Sequence, residues 1–348
     1  LPQDFTLHAG GKARLSGHVE NYAGEGLTDF EGVVNARFYD SAEDVVCYNA
    51  ARAVSAFKFS AYNKILYTGT DSVSAGRFSI TCPIPIDINY SNDFGRVLFY
   101  ALGNDKTTEA NGHNEAFRLG GTEPDLNDQT GPVITAYLND PTFTDGTVVN
   151  ATPYFVAQLQ DESGINNSGN GLGHDMELII DNNAATTYTL NDYYTSEFGD
   201  YTRGTVAFSI PTLTAGKHSL LFRAWDNLNN YGTTTLTFEV DPKLDTSILN
   251  LSASNSPATT TTNFLLSYDR PGSVCQFTIE VFDFAGRLLW SYSAEGSSSN
   301  GLYSVPWNLC TGSGMPLGSG VYLYRARVKC DDSAETSKAQ KIIINRRK

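Results

Sequence analysis

Short segments in which apolar and polar residues alternate recur along the whole chain, separated by turn residues. In the run 218–226, Leu220, Phe222 and Ala224 fall on one side of an extended strand, which is the period-2 pattern of a half-buried sheet. No window shows sustained helical periodicity, and 31 glycines with abundant Thr, Ser, Tyr and Phe favour strands and turns. The sequence therefore predicts an all-β protein.

The chain has 348 residues, enough for two or three domains of ordinary size. We predict three consecutive immunoglobulin-like β-sandwich domains, at residues 1–130, 131–242 and 243–348. The polar, turn-rich stretch 103–130 is expected to be a long loop that leads into the first linker. For the first domain, the predicted strands are 5–8, 13–20, 32–39, 44–48, 57–59, 65–68, 77–82 and 96–102.

The net charge of −14 comes from the first two thirds of the chain, because residues 242–348 carry a small excess of Lys and Arg. An acidic body argues against nucleic-acid binding, which needs a basic surface. No apolar run is long enough for a transmembrane helix. The N-terminus has neither a signal-peptide pattern nor an initiator Met, so we expect the chain to be part of a longer protein.

The five cysteines are too few for a disulfide-built scaffold and lack the CxxC spacing of a metal site. Cys47 and Cys82 both lie in strand-like runs and form one candidate pair. Cys310 and Cys330 form another if their strands are neighbours, but sequence alone settles neither bridge. Scarce cysteine in a strand-rich chain is typical of a secreted or surface protein.

Acidic residues mark strand ends in the middle domain. Asp161 ends one strand, Asp175 begins another, and Asp226 lies at a hairpin. Oxygen-rich loops of this kind hold Ca²⁺ in some proteins, but Asp and Asn also cap turns by bonding nearby backbone. We favour turn capping and assign no cofactor, with Ca²⁺ as the open alternative.

Two histidines are candidates for a functional role. His113 lies beside Glu109 and Glu115 without a third ligand at convincing spacing, so we interpret it as an exposed loop residue. His174 lies among glycines, which indicates close backbone packing and a buried, hydrogen-bonded structural role.

The middle of the chain carries a family resemblance. The segments GPVI, DGTVVNATPYFVAQLQDESGIN, GLGHDMELIID and GKHSLLFRAWDNLNN resemble the region downstream of the peptidase domain in the C-terminal signal peptidases of the type IX secretion system. These PorU-type sortases are gingipain-like cysteine peptidases of Bacteroidetes. The resemblance begins at FTLHAGGKARLSGHVEN and covers most of the chain.

The family's catalytic Cys and His lie in a separate α/β domain, N-terminal to this region, and nothing in the chain matches that domain. Cys47 or Cys82 with His18 or His113 would be the candidate thiol and base. An activated thiol needs a positioned base, and cysteines inside strands are usually inert. We therefore assign no catalytic residue to this chain, whereas the resemblance implies that the parent protein is a cysteine endopeptidase.

The last hundred residues resemble the C-terminal sorting domain of type IX secretion cargo. The matching features are the FDFAGR hairpin, Trp307, the run GSGVYLY at 318–324 and the closing strand 341–344. The resemblance implies docking on an outer-membrane β-barrel shuttle protein at the cell surface. Aromatic and Arg residues often anchor interfaces, although Trp307 and Tyr322 fit the core better. The predicted docking residues are Tyr322, Tyr324, Lys341, Ile343, Arg346 and Arg347.

The resemblance implies a parent protein that cleaves cargo sorting domains and transfers the cleaved cargo to a surface lipopolysaccharide. This chain would then position the missing catalytic domain and hold the assembly to the barrel. One alternative is a secreted adhesin or carbohydrate-binding protein with a type IX sorting domain, and another is a Ca²⁺-rigidified extracellular linker. The residues proposed as an aromatic platform for a glycan are Tyr188, Tyr193, Tyr194 and Tyr201.

Overall fold

The computed structural model describes residues 5–47, 56–169, 171, 173–299, 301–330 and 333–346. Within these ranges the regular structure consists of β-strands and two single-turn 3-10 helices, Ala184–Thr186 and Asn191–Tyr193. The prediction of an all-β protein with β-sandwich domains is confirmed. No described helix is long and apolar enough to cross a membrane.

The described residues divide into two compact units. The first comprises Leu1–Ala136, Ala157–Val206 and Ser219–Leu236, and the second comprises Tyr137–Val156, Ala207–His218 and Thr237–Lys348. The division into three domains stays a prediction.

Ten strands lie in the described part of the first third of the chain. Its main sheet has the order β6-β3-β8-β9, and three two-stranded sheets pair β2 with β7, β1 with β10, and β4 with β5. The strands are β1 (Phe5–Ala9), β2 (Lys12–His18), β3 (Gly32–Tyr39), β4 (Glu43–Cys47), β5 (Phe57–Ala61), β6 (Ile65–Val73), β7 (Arg77–Pro83), β8 (Arg96–Gly103), β9 (Glu109–Asn114) and β10 (Phe117–Thr122).

Alternation in β3 fixes which face of the main sheet is buried. Val34, Ala36 and Phe38 are at most 1% exposed, while Asn35 and Arg37 between them point to the opposite face. Phe38 belongs to a core cluster with Leu7, Ile80, Phe117 and other residues of this region.

The predicted long loop over 103–130 is wrong, because β9 and β10 lie within it. Strand β9 is polar and exposed, and its backbone pairs with β8 from Val97–Asn114 to Leu102–Glu109. Backbone hydrogen bonds to β8, rather than buried apolar side chains, stabilise β9, so its sequence shows no hydrophobic alternation. Strand β10 does bury Phe117 and Leu119, a short alternation that the surrounding glycines and polar residues obscured.

The middle third supplies two further sheets, with strand orders β11-β13-β17-β16 and β12-β19-β18-β14-β15. In the first unit, β14 pairs antiparallel with β18, from Glu177–Arg223 to Ile180–Leu220. The strands are β11 (Val133–Leu138), β12 (Thr147–Val149), β13 (Tyr154–Gln160), β14 (Glu177–Ile180), β15 (Thr187–Thr189), β16 (Tyr194–Glu197), β17 (Asp200–Ser209), β18 (Gly216–Trp225) and β19 (Tyr231–Val240).

The last third, within the second unit, forms a sandwich of two sheets around one core. One sheet has the order β20-β21-β24; the other has β23-β22-β25-β26, with β27 also paired to β25. Phe264 and Trp307 from the first sheet share a core cluster with Phe277 and Val328 from the second. The strands are β20 (Ile248–Ala253), β21 (Thr262–Tyr268), β22 (Cys275–Phe282), β23 (Leu288–Gly296), β24 (Leu302–Trp307), β25 (Gly320–Cys330), β26 (Ser333–Thr336) and β27 (Gln340–Ile344).

Neither of the two candidate cysteine pairs forms. The disulfide joins Cys275 to Cys330, which face each other at the ends of neighbouring strands β22 and β25. Cys47 and Cys310 are free, and Cys82 is a buried thiol. The pairing depends on the register of two strands far apart in sequence, and residue spacing carries no information about that register.

Candidate functional site

Three aspartates of the first unit converge at the ends of different segments. Asp161 directly follows β13, Asp226 directly follows β18, and Asp128 follows β10 in the segment before β11. One carboxylate oxygen from each lies within 4.8 Å of the others. Two of the three candidates, Asp161 and Asp226, are thus brought together, but the third partner is Asp128 and not Asp175.

Hydrogen bonds within the turns fix two of these carboxylates. Asp226 is fully buried and accepts bonds from the backbone N–H of Leu228 and from the backbone and side-chain N–H groups of Asn230. Asp128 accepts bonds from the Ser163 hydroxyl and from the Thr130 backbone N–H. Except for the Ser163 bond, which joins two separate segments, these are the bonds of capped turns, as the favoured interpretation predicts.

The Asp161 carboxylate accepts fewer hydrogen bonds than the other two carboxylates of the cluster. It is 7% exposed, and its Oδ1 accepts one bond, from the Ser163 backbone N–H at 2.8 Å. Burial raises its pKa to about 7, and the neighbouring carboxylates of Asp226 and Asp128 add to the rise. Burial also raises the pKa of Asp226, whereas the Ser163 hydroxyl lowers the pKa of Asp128.

The cluster borders a cavity of about 840 Å³ within the first unit. Carboxylate oxygens are ligands for a hard cation such as Ca²⁺, so the cluster has suitable chemistry. Internal hydrogen bonds already account for Asp128 and Asp226, however, and the geometry does not require an ion. The lining includes Gly11, Lys12, Ile84, Leu126, Asp128, Asp161 and Ser163.

Replacing Asp161 by asparagine is expected to stabilise the protein at about pH 8 and to change little near pH 4. The folded-state pKa of about 7 lies above the ordinary value, so the folded state binds more protons between these two pKa values. The free energy of unfolding therefore falls as pH rises through this window. We expect a rise of roughly 2–4 °C in melting temperature at the higher pH, the shift that 1 kcal/mol produces at this domain size.

Asp105→Asn is the matched control for this prediction. Bonds from the Thr108 hydroxyl and from the backbone N–H of Thr107 hold the pKa of Asp105 below its usual range, so its effect has the opposite sign. This control should lower the melting temperature at neutral and high pH, and the effect should be lost as pH falls from the ordinary carboxyl pKa towards the lower pKa of the folded state. The same pH trend for both variants would contradict the raised pKa of Asp161.

The predicted docking residues occupy different environments. Tyr324 is 3% exposed, and its ring lies 4.8 Å from that of Phe264 between centroids, so it is a core residue. Tyr322 packs against the same core and donates its hydroxyl to the Gly318 carbonyl.

The remaining docking candidates lie near the end of the chain. Lys341 is exposed and Ile343 is 44% exposed, so both can meet a partner. The Arg346 guanidinium donates to the Leu309 carbonyl at 3.1 Å, which gives it a structural role. Arg347 lies outside the described residues.

His174 is hydrogen-bonded, as predicted, but its side chain is partly and not fully buried. Its Nδ1 lies 3.0 Å from a carboxylate oxygen of Asp87, and its ring packs on Trp225 with centroids 4.3 Å apart. His113 lies in β9, not in a loop, and is exposed as predicted. Burial raises the pKa of the Cys82 thiol, which is the environment of an inert cysteine.

The four tyrosines of the alternative glycan platform differ in exposure. Tyr193 is 48% exposed, whereas Tyr188, Tyr194 and Tyr201 are partly buried. The Tyr194 hydroxyl is fully buried, and the Lys12 ammonium lies 5.4 Å from the centre of the Tyr201 ring. Tyr193 is therefore the exposed ring of the four.

The sequence does not identify Asp128 as a member of the cluster, because Asp128 lies in the stretch predicted as a long loop leading into a linker. The available signal was the Asp-Gln-Thr triplet 128–130, in which a carboxylate bonds the backbone two residues on. That signal indicates a turn but does not reveal which strand ends lie nearby.

Among solved structures, one similarity combines coverage of nearly the whole chain with substantial sequence identity. The crystal structure of dimeric latent PorU from Porphyromonas gingivalis is 31% identical to this chain over 99% of its length, with a TM-score of 0.46. The matched region is 32% of that protein, so the chain spans about a third of its relative. This supports a PorU-related region, in agreement with the resemblance found in the sequence.

Other similarities are weaker. The crystal structure of the chicken CNTN1 FN1–FN3 domains is 9% identical to this chain. The match covers 73% of this chain and 79% of that structure, with a TM-score of 0.23. The crystal structure of a tetra-tandem repeat from the extending region of a large adhesion protein is 15% identical to this chain. The match covers 97% of this chain and 73% of that structure, also with a TM-score of 0.23. Neither carries an argument about function. No family model and no curated protein matches the sequence.

Proposed function

We propose that this chain is the non-catalytic C-terminal β-sandwich region of a cell-surface, PorU-type signal peptidase of the type IX secretion system. The observation that carries the proposal is the 31% identity to latent PorU across 99% of the chain. The parent protein would cleave cargo sorting domains with a cysteine nucleophile in a separate catalytic domain. The sandwiches would position that domain and dock on an outer-membrane β-barrel shuttle protein.

Side chains on β27 are the contacts we assign to docking. The outer edge of this strand is partly occupied, because the backbone N–H of Ala258 donates to the Ile343 carbonyl and the Ile343 N–H donates to the Ser256 hydroxyl. Addition of a partner strand would need these groups free. The exposed side chains of Lys341 and Ile343 are available without breaking any of these bonds.

The docking test measures binding of the full chain to the detergent-solubilised barrel shuttle protein. The double variant Lys341→Glu with Ile343→Ser is expected to weaken binding about 10-fold or more, as loss of an interface anchor does. Both side chains are exposed, so the sandwich should keep its melting temperature. Arg346 is left unchanged because of its bond to Leu309.

The matched control is Lys217→Glu, a charge reversal at an exposed position of β18. It should bind as the unmodified chain does. Absence of saturable binding by the folded, unmodified chain would remove the anchoring role. Equal weakening by Lys217→Glu would show that general charge, and not β27, drives the association.

A further inference from the structure

The outward face of the sheet β6-β3-β8-β9 carries two rows of polar and aromatic side chains. In one row, Asn35 on β3 pairs with Tyr100 on β8, which pairs with Asn111 on β9. The next row continues with Arg37, Leu98 and His113. Because neighbours two apart on a strand share a face, all six side chains point away from the buried core.

Two cavities in the first unit lie along this face and share Asn35 and Arg37. One, of about 380 Å³, extends over β6 to the segments 167–168 and 191–196. The other, of about 410 Å³, extends over β8 and β9 to Tyr100 and His113. We call the two together the sheet-face groove.

The wall of the groove is fixed to the edge of β6. The side chains of Asn167 and Ser168 donate to the carbonyls of Thr68 and Leu66, at 3.0 and 3.4 Å, and the Gly199 N–H donates to the Thr70 carbonyl at 2.9 Å. These bonds occupy three alternate carbonyls of the edge strand. The groove is therefore preformed, and this edge cannot take up an extended peptide strand.

Three polar side chains on the floor of the groove are unused by the protein itself. Within the part of the chain that the structure describes, the side chains of Asn35, Arg37 and Asn111 make no hydrogen bond or ion pair. The Arg37 guanidinium offers five N–H donors that match a carboxylate in a planar, bidentate pair. Each amide offers both a donor and an acceptor, which suits hydroxyl groups.

Apolar surface lies beside these polar groups. The Tyr100 ring is 44% exposed and Leu98 is 40% exposed, so a flat, weakly polar ligand face can pack on them. Two carboxylates lie near the groove: Asp192 lines the first cavity only, and Glu109 on β9 bonds the Tyr100 hydroxyl on the side away from Arg37. This leaves the Arg37 side nearest His113 as the place for an anionic group. A ring with many hydroxyls, one flat face and a carboxylate combines all of these features.

We infer that the sheet-face groove binds an acidic oligosaccharide, with a uronic acid carboxylate on Arg37 and a sugar ring on Tyr100. This site is separate from the proposed docking of β27 and does not depend on it. An extended acidic peptide fits less well, because the edge of β6 is already bonded and the amides are arranged across strands.

The test is calorimetric titration of the full chain with the galacturonic acid hexamer, beside the neutral maltose-series hexamer and hexaglutamate. The acidic sugar should bind at least about 10-fold more tightly than the neutral hexamer, because only the acidic sugar offers Arg37 a charge-assisted bond. It should exceed hexaglutamate by a similar factor, because the peptide lacks the hydroxyl groups and the flat ring that suit the amides and Tyr100. Arg37→Ala and Tyr100→Ala should each weaken binding by about 10-fold. Both side chains lie on the exposed face, so melting temperatures should be unchanged.

Arg77→Ala is the matched control, an exposed arginine on β7 that lines neither cavity. It should leave binding unchanged. Three results would overturn the inference: no saturable binding of the acidic hexamer, equal affinity for the neutral hexamer, or equal affinity for hexaglutamate. Loss of binding in Arg77→Ala equal to that in Arg37→Ala would also overturn it.

Discussion

Replacing Cys275 and Cys330 together by alanine is expected to lower the free energy of unfolding of the C-terminal sandwich by about 4 kcal/mol. The bond closes a loop with a sequence separation of 55 residues. A cross-link of this length limits the unfolded chain, and its removal typically costs about 2–5 kcal/mol. The two residues are 1% and 2% exposed, so the bond also belongs to the sandwich core.

Tryptophan fluorescence during urea unfolding checks this expectation. The chain has 3 tryptophans, and two of them, Trp290 and Trp307, lie in the C-terminal sandwich. A Trp225→Phe background therefore isolates the relevant transition. Cys310→Ala, which removes a free thiol, is the control and should change the midpoint little. Equal midpoints for the double variant and this control would contradict the assigned pairing.

Much of the fold was predictable because it follows from local alternation. Strand β3 buries every second residue, and β18 does so from Leu220 to Ala224. The limits of both strands, and of β7, differ from the predicted ones by few positions. Strand β9 was not predictable, since its stability comes from backbone pairing with β8 and not from apolar residues. The disulfide pairing was not predictable for a related reason, because the register of two strands depends on residues that are far apart in sequence.

The candidate sites were predictable only in part. Asp161 and Asp226 were identified because acidic residues at strand ends are visible in sequence, but which ends meet is set by tertiary structure. Asp175 lies just before β14 and does not belong to the cluster. Tyr324 looked like an interface anchor by residue type, yet alternation along β25 places it inside. The groove on β3, β8 and β9 had no local signal, because its side chains come from three strands.

Replacing Trp307 by alanine is the second change with a large expected effect. Trp307 is 2% exposed, its ring stacks on Phe264 with centroids 5.6 Å apart, and its Nε1–H donates to the Cys310 carbonyl at 2.9 Å. Truncation leaves a cavity in the C-terminal core and should cost about 3–5 kcal/mol. Urea unfolding followed by the fluorescence of Trp290 in the Trp225→Phe background measures the loss.

Two further variants separate the sources of this effect. Trp307→Phe keeps an aromatic ring against Phe264 but loses the bond to Cys310, so it should cost less than the alanine variant, with about 1–3 kcal/mol from the unpaired carbonyl. Leu302→Ala lies on the same strand with its side chain 55% exposed and should change stability by about 0.5 kcal/mol or less. If Trp307→Ala matched Leu302→Ala in stability, the core role would be wrong.

Because Trp307 is buried, Trp307→Phe should also retain binding to the barrel shuttle protein, whereas Lys341→Glu with Ile343→Ser should not. That contrast separates residues that hold the sandwich together from residues that meet a partner.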